Sequence, residues 1–371
     1  MSGLKMPKIS VIVPVYNLEF YISRCLNSLA RQLFKDFEVI VVNDGSKDDS
    51  QLIVDEFVLK YPDVFRSYIK ENGGHGSACN VGLAHAKGDY IVFVDGDDFL
   101  DPDALGYLYQ KIEIVDADML IGNLMYHFSD SITPFVALPF GKECMLDEAA
   151  KDELYNNWAT PCGRIYKAEL FANLDFRFKE GIFFADANFA PKSYLLAKKI
   201  YYVNKEVYNY DITRPTQSMK QTDRRILNII PALRDMLEFY KSRNEFDANR
   251  KRLETYTVRH CVSWIAKVKT LHGYSKLKAI REIFSVLDDY FPKTWEHSQA
   301  ISSIISPPLA RLLVISKRLQ YFPLALYWDG PPVLRKIDRI LYCVFELPLR
   351  SYLWIKRVFK RLVKKIISME F

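Results

Sequence analysis

A mostly parallel, twisted α/β sheet flanked by helices, followed by a helical C-terminal region, is the fold class this sequence predicts. Two observations carry that prediction. Apolar runs rich in β-branched and aromatic residues end near residues 15, 42, 70 and 94, each followed by a polar or glycine-rich turn and a helical pattern. This spacing matches successive βαβ units, whose right-handed crossovers build a parallel, doubly wound sheet. Beyond Thr222 the strand signals stop, and 223–240, 251–270 and 275–290 read as helices.

In chain order, the run 9–15 is the first strand, and Asn17 is placed to cap a helix reaching about Arg31. The run 37–42 is the second strand. After it, Ser46-Lys47-Asp48-Asp49 has capping-box spacing for a helix to about Lys60. A third strand over 65–70 leads into Glu71-Asn72-Gly73-Gly74-His75-Gly76 and a short helix over 77–86. The fourth strand, 90–94, is followed by Asp101-Pro102, a good helix start. Two further strands are expected at 118–123 and 125–129, and 142–219 reads as mixed and loop-rich. Within it, Asp147-Glu148 opens a helix and 186–197 is helical. The expected division is 1–220, a helical 221–332, and a basic tail from 333 to 371.

At 371 residues, with 49% hydrophobic and 26% charged residues, the chain has the composition of a globular protein with a large core. Six scattered cysteines, without a Cys-x-x-Cys pair, fit reduced thiols and a cytoplasmic setting rather than a disulfide framework. The residues before Lys8 lack the apolar core of a signal peptide, and no stretch reaches the ~18 uninterrupted apolar residues of a membrane span. The net charge of +6 is unevenly placed. From Arg350 to Lys365 there are seven Lys or Arg and no acid.

Chemistry is concentrated after the fourth strand, at Asp95-Gly96-Asp97-Asp98. Three carboxylates this close repel unless a cation neutralises them, and hard oxygen ligands suit Mg²⁺ or Mn²⁺. The alternative is an acidic, solvated turn. Tyr16 with Asn17, Asp44, the glycine-rich turn and the acidic triplet all fall at carboxyl ends of strands, where open α/β sheets bind ligands. A nucleotide suits such an edge: an aromatic ring stacks on a base, a carboxylate accepts from a base N–H, and glycines admit a phosphate. Taken singly, Tyr16 reads equally as a core aromatic and Asp44-Gly45-Ser46 as a turn with a helix cap. Neither a Gly-x-Gly-x-x-Gly fingerprint nor a Gly-Lys-Ser/Thr phosphate loop is present, which disfavours hydride transfer and P-loop hydrolysis.

Ile9 to Asn17 (ISVIVPVYN), Val41-Val42-Asn43-Asp44-Gly45-Ser46 and Asp95-Gly96-Asp97-Asp98 together resemble the family-2 glycosyltransferases, over about residues 7–220. The resemblance implies a GT-A, Rossmann-like fold, a nucleotide-diphospho sugar as donor, and inversion at the anomeric carbon. By the same resemblance Tyr16 stacks on the base, uracil in a UDP-sugar, with Pro14 and Glu19 lining the pocket. Asp44 binds the base edge. Asp97 holds the divalent metal and Asp95 the ribose or metal, while the role of Asp98 is left open. Asp186, in Glu180-Gly181-Ile182-Phe183-Phe184-Ala185-Asp186, matches the family's base, the group that takes the acceptor hydroxyl's proton. Ala185 stands where the family has glutamate, and Asp186 also reads simply as a helix cap. Cys79 departs from an arginine that usually precedes Asn80, a candidate donor contact. Arg214 resembles the closing-loop arginine on the diphosphate, and Arg164 replaces the lysine of a Trp-x-Lys-Leu-Tyr-type loop near the acceptor. His75 can touch either ligand or be a polar surface group.

The tail alternates apolar pairs (Trp354-Ile355, Val358-Phe359, Leu362-Val363, Ile366-Ile367) with basic ones (Lys356-Arg357, Lys360-Arg361, Lys364-Lys365). On a helix these give an apolar and a cationic face, suited to an anionic membrane surface. The alternative is a helix packed on the catalytic domain with a solvated basic face. Nucleic-acid binding is disfavoured, because no reader motif accompanies the charge. The expected protein is a metal-dependent glycosyltransferase of the cytoplasmic membrane face, acting on a glycan or lipid-linked acceptor of capsule, lipopolysaccharide or teichoic acid synthesis. Two other readings are a nucleotide-sugar-binding partner of an assembly complex without turnover, and a nucleotidyl- or phosphotransferase on a related sheet.

Overall fold

The computed structural model of the chain describes residues 6–156, 160–172, 176–215, 223–268, 271, 276–292, 294–295, 298 and 301. The expected basic tail therefore lies outside the described residues.

The first half alternates strand and helix: β1 Ile9–Val15, α1 Ile22–Ala30, β2 Phe37–Asn43, α2 Ser50–Lys60, β3 Phe65–Ile69, α3 His75–His85, β4 Tyr90–Phe93 and α4 Ala104–Val115. Strand β1 pairs in parallel with β2 and β4, and β2 with β3. Every residue of β1, β2 and β4 is buried, as expected of strands covered on both faces. Two polar side chains in this apolar block answer each other. Ser10 Oγ donates to Glu38 Oε1 at 2.8 Å, and Arg66 Nη1 donates to Glu38 Oε2 at 2.9 Å. The Lys87 and Gly88 N–H groups complete the network, at Glu38 and Ser10 respectively.

The second half departs from the simple alternation. It contains β5 Met119–His127, β6 Ile132–Phe135, β7 Cys144–Met145, α5 Glu148–Asn156, β8 Arg164–Lys167, α6 Asp186–Leu196 and β9 Ile200–Asp211. The sheet order is β3-β2-β1-β4-β8-β5-β9-β7, with β6 on β5. Most of the paired length is parallel, but β8 runs antiparallel between β4 and β5. The two strands expected at 118–123 and 125–129 are one strand, β5, whose register against β9 shifts between Ile121 and Leu124. Neither β8 nor β9 was expected. The former has four residues, and Asn204-Lys205-Glu206 interrupts the apolar pattern of the latter.

Three helix starts also differ from expectation. Asn17 does not cap α1; it sits at φ +52°, accepts from the Lys47 N–H and donates its own N–H to Ser46 Oγ. Nor does Ser46 cap α2. Asp48 instead accepts from the Ser50 and Glu19 N–H groups, and α2 begins four residues after Ser46. Helix α4 begins after Asp103, one residue beyond Pro102. At the first two, Asn17 and Ser46 each accept from a backbone N–H of the other's loop rather than from their own helix; at the third, Asp101 accepts from Asn209 of β9.

Helices α7 Ile229–Ser242, α8 Arg250–Val268 and α9 Lys276–Tyr290 follow, and one hydrophobic cluster runs from Ile9 through Phe93 and Phe189 to Trp264 and Phe284. At its centre Phe189 of α6 stacks on Phe178 at 3.9 Å between ring centres and meets Phe93 of β4 edge-on at 5.6 Å. Pairs of this kind are worth roughly 0.5–1.5 kcal/mol beyond their burial. They lock α6 to β4. This fixes Asp186, three residues before Phe189, relative to Asp95, two residues after Phe93.

Candidate active site

The turn after β4 is shaped by close packing. A Cβ on Gly96 would lie 2.8 Å from Leu18 Cδ1 and 3.1 Å from the Pro14 carbonyl oxygen, so only glycine lets the turn press against the β1–α1 loop. Asp95, Asp97 and Asp98 then present ligand oxygens that all lie within 4.8 Å of one another.

The three carboxylates have different surroundings. Asp98 is fully buried; it accepts from Tyr208 OH at 2.6 Å and from the Asp211 N–H at 2.8 Å. Burial, then the charges of Asp97 and Asp95, push its carboxyl well above the usual range. Asp97 meets Arg214, with Nε 2.7 Å from Oδ2. Burial lifts Asp97, with Arg214 pulling against that rise and Asp95 adding to it. Asp95 accepts from His75 Nε2 at 2.9 Å when that nitrogen carries the proton. Desolvation opposes the Asp95 charge, but His75, helped by Arg214, holds the carboxyl below the usual range. Desolvation likewise opposes charge on His75, yet Cys79 and Asp95 outweigh it and raise the imidazole well above its ordinary value. Mutual repulsion and hard oxygen donors fit a divalent cation here, one that would replace the positive charge Arg214 and His75 supply, with Asp95 and Asp97 the members that can hold it.

Arg24 is a further participant that the sequence did not reveal. Its Nη2 donates to the Asp97 carbonyl oxygen at 2.7 Å and to Asp211 Oδ2, and its guanidinium lies over the Phe99 ring. Tyr208 OH also accepts from the Asp95 N–H at 3.0 Å. A strand 110 residues downstream thus backs the acidic turn.

At the neighbouring strand ends, Tyr16 is 45% exposed, while Pro14, two residues earlier, is buried. Glu19 accepts from the Asp49 N–H at 3.1 Å, tying the β1–α1 loop to the start of α2. The Asp44 carboxylate is buried and already engaged: Oδ1 accepts from Lys70 Nζ and the Gly73 N–H, and Oδ2 from the Gly74 N–H. It therefore shapes the glycine-rich turn. Asn80 accepts from the Phe178 N–H and donates to the Phe178 carbonyl and Glu180, so it joins α3 to the segment bearing Asp186. The glycine-rich turn joins the same segment through Gly181 N–H to the Gly73 carbonyl, 3.0 Å.

Asp186 opens α6 and is half-buried. Burial drives its carboxyl up to about 6, with Asp95 adding to the rise, and His75 and the Ala187 N–H opposing it. Two residues earlier Phe184 holds φ +63°, a strained value for a bulky side chain, and packs edge-on against Trp264 at 4.9 Å. Ala185 is buried, and its methyl lies 3.2 Å from where a Cβ on Gly76 would be, so α3 packs closely on this position. Beside the turn, Tyr126 stacks on Phe135 at 4.9 Å and meets Tyr210 at 5.3 Å; all four aspartates raise the Tyr210 hydroxyl, after burial. Asn17 and Cys79 hold no direct place beside the carboxylates, although the Cys79 sulfur lies 3.8 Å from the His75 ring nitrogens.

The family model for glycosyl transferase family 2 matches residues 10–172. Glycosyltransferase GlyA of Streptococcus pneumoniae serotype 4 is 37% identical over 242 residues, 62% of this chain and 34% of that protein. Glycosyltransferase GlyG of the same organism is 34% identical over 213 residues, 54% of this chain and 70% of that protein. The chain belongs to glycosyl transferase family 2. The poly(ribitol-phosphate) beta-N-acetylglucosaminyltransferase TarS of Staphylococcus aureus is 31% identical over 58% of this family 2 chain and 37% of its own length. A crystal structure of TarS 1-349 in complex with UDP-GlcNAc matches with a TM-score of 0.54 at 22% identity, covering 90% of this chain and 91% of that one. The fold is accordingly GT-A. The aligned parts span about a third of GlyA and of TarS, and most of GlyG.

Proposed function

We propose that this family 2 chain is an inverting glycosyltransferase that moves a sugar from a UDP-sugar, with Mg²⁺ or Mn²⁺, to a hydroxyl of a glycan or lipid-linked acceptor in surface-polysaccharide synthesis. The observation that carries the reading is Asp186, a carboxylate raised to about 6 and lying in the fields of His75 and Asp95. A base tuned towards neutrality, beside a cation-ready acidic turn, is the pair an inverting displacement requires. Tyr16 would stack on the base, with Pro14 and Glu19 forming the loop beneath, and Asn80 would hold the donor side through the Asp186 segment. Asp44 would present the glycine-rich turn, and Arg214 would transfer from Asp97 to the diphosphate. Asp95 and Asp97 would hold the metal, which when bound offsets charge on the departing diphosphate. Asp186 would take the acceptor hydroxyl's proton on the far side of the anomeric carbon. The strip Tyr126, Phe135 and Tyr210 offers amphipathic rings to a sugar acceptor.

The names of the relatives support surface-polymer synthesis; TarS acts, by its name, on poly(ribitol-phosphate). Among the described residues no helix is long and apolar enough to cross a membrane. Peripheral attachment at the inner membrane face through the tail, and a division of the chain near residue 220, are parts of the same proposal. Incubation with a panel of UDP-sugars and Mn²⁺ tests it. Metal-dependent release of UDP is expected, and it should be lost in Asp97→Ala. UDP binding without turnover, unchanged by Asp186→Asn, would favour a binding partner of an assembly complex; release of pyrophosphate would favour a nucleotidyltransferase. Removing residues 351–371 should shift the protein to the soluble fraction, and unchanged membrane association would refute the tail's role.

A further inference from the structure

Arg164 on β8 is 5% exposed, yet it is not neutralised by a carboxylate among the described residues. Its Nη2 donates to Tyr194 OH at 3.0 Å, and its guanidinium lies 5.2 Å from the centre of the Tyr194 ring. Its Nη1 is buried and makes no hydrogen bond among the described residues. A guanidinium is always charged, and a buried charge without a counter-ion is strongly unfavourable. Burial opposes that charge and Tyr194 and Tyr166 support it, with no carboxylate beside it among the described residues.

Beside this guanidinium lies a cavity of about 20 Å³, walled by Leu124, Leu138, Leu154, Thr160, Cys162 and Tyr194. That is room for one or two water-sized groups. The cavity backs directly onto the candidate active site. Cys162 bridges to Phe93, two residues before Asp95, and the Asp95 charge acts on the Cys162 thiol. Phe135, from the aromatic strip, also lines it.

We propose that Arg164 is the floor of an anion subsite, which takes the carboxylate or phosphate oxygens of a substituent on one of the two sugar ligands. The planar fork of a guanidinium matches those oxygens, and the surrounding leucines would strengthen the pairing by excluding water. The volume limits the occupant: an anionic substituent can enter, a whole sugar ring cannot. This inference rests on the sugar-transfer reading for the identity of its ligands, but not for the presence of the site.

The test uses the full chain with saturating UDP and Mg²⁺, so that the diphosphate positions are already filled. Inorganic phosphate and acetate are titrated against wild type, Arg164→Met and Arg164→Lys by thermal melting and calorimetry. Wild type should be stabilised by phosphate, Arg164→Lys should bind it about tenfold more weakly or worse, and Arg164→Met should not respond. Without anion, Arg164→Met should melt at or above the wild-type temperature, because an uncompensated buried charge has been removed. A wild type indifferent to both anions, or an Arg164→Met that responds like wild type, overturns the proposal. Should Arg164→Met not fold, the Lys variant still decides it: phosphate affinity equal to wild type overturns the subsite.

Comparing UDP-glucuronate with UDP-glucose separates the two sources. Arg164-dependent preference for the glucuronate places the anion on the donor; equal affinity alongside Arg164-dependent phosphate binding places it on the acceptor. Arg164-dependent phosphate binding in a wild type that releases no UDP would count against the transfer reading alone.

Discussion

Arg214 Nε stands 2.7 Å from Asp97 Oδ2, so a guanidinium lies on the side of the acidic turn where a divalent cation would sit. The two positive charges compete for one carboxylate. Without nucleotide, Arg214→Ala should therefore bind Mn²⁺ several-fold more tightly than wild type, read by calorimetry or by the paramagnetic signal of free Mn²⁺. With nucleotide, the same variant should bind UDP about tenfold more weakly or worse, since a charge-assisted phosphate contact is lost. Equal Mn²⁺ affinity in the two proteins would remove the competition.

On the proposed mechanism Asp186 would set the acid limb of the pH profile. A carboxyl raised to about 6 is protonated below that pH and unable to accept a proton; it becomes an effective base as pH rises through 6. The kcat/KM for transfer should climb through an inflection near 6 and level off above 7. Asp186→Asn should lower kcat by about 10²–10⁴-fold and leave UDP affinity within about twofold. A flat profile between 5 and 8 would exclude Asp186 as the base.

His75 acts on that same limb. Its positive charge lowers the Asp186 pKa, so His75→Asn should move the inflection to higher pH. The variant should also bind Mn²⁺ at least as tightly as wild type, because a positive charge competing for Asp95 is removed, whereas Asp95→Asn should weaken it. A downward shift of the inflection would contradict the geometry.

At the opposite end of the sheet, Glu38 provides a control for stability without function. Glu38→Ala leaves Ser10, the Lys87 N–H and a partly exposed Arg66 short of a partner. The expected loss is about 1–3 kcal/mol in urea unfolding, with UDP affinity unchanged.

The parts legible in the sequence are those whose chemistry is local. Asp95, Asp97 and Asp98 suggest a cation site because three carboxylates stand within four residues, whereas Asp186 was singled out only through the family resemblance. The parts not legible depend on partners far along the chain. Nothing near Arg24 indicates that it meets the Asp97 carbonyl, 73 residues away, or Asp211, 187 away. His75 resembled a surface loop histidine until the fold set it beside Asp95. The helix-start errors at Asn17 and Ser46 have the same origin: short-range capping rules were satisfied, but partners across the β1–α1 and β2–α2 loops competed better. Strands β8 and β9 escaped because their periodicity is short or broken, and a central antiparallel strand leaves no mark on a βαβ pattern.

Strand β9 also fixes when the acidic turn can be completed as the chain is made. Tyr208 and the Asp211 N–H bind Asp98 across 110 and 113 residues, and loops of that length close late. A nascent chain ending before Tyr208 would carry all three aspartates of the turn, yet would leave Asp98 without both hydrogen-bond donors. The acidic corner is thus completed only when most of the sheet has already emerged.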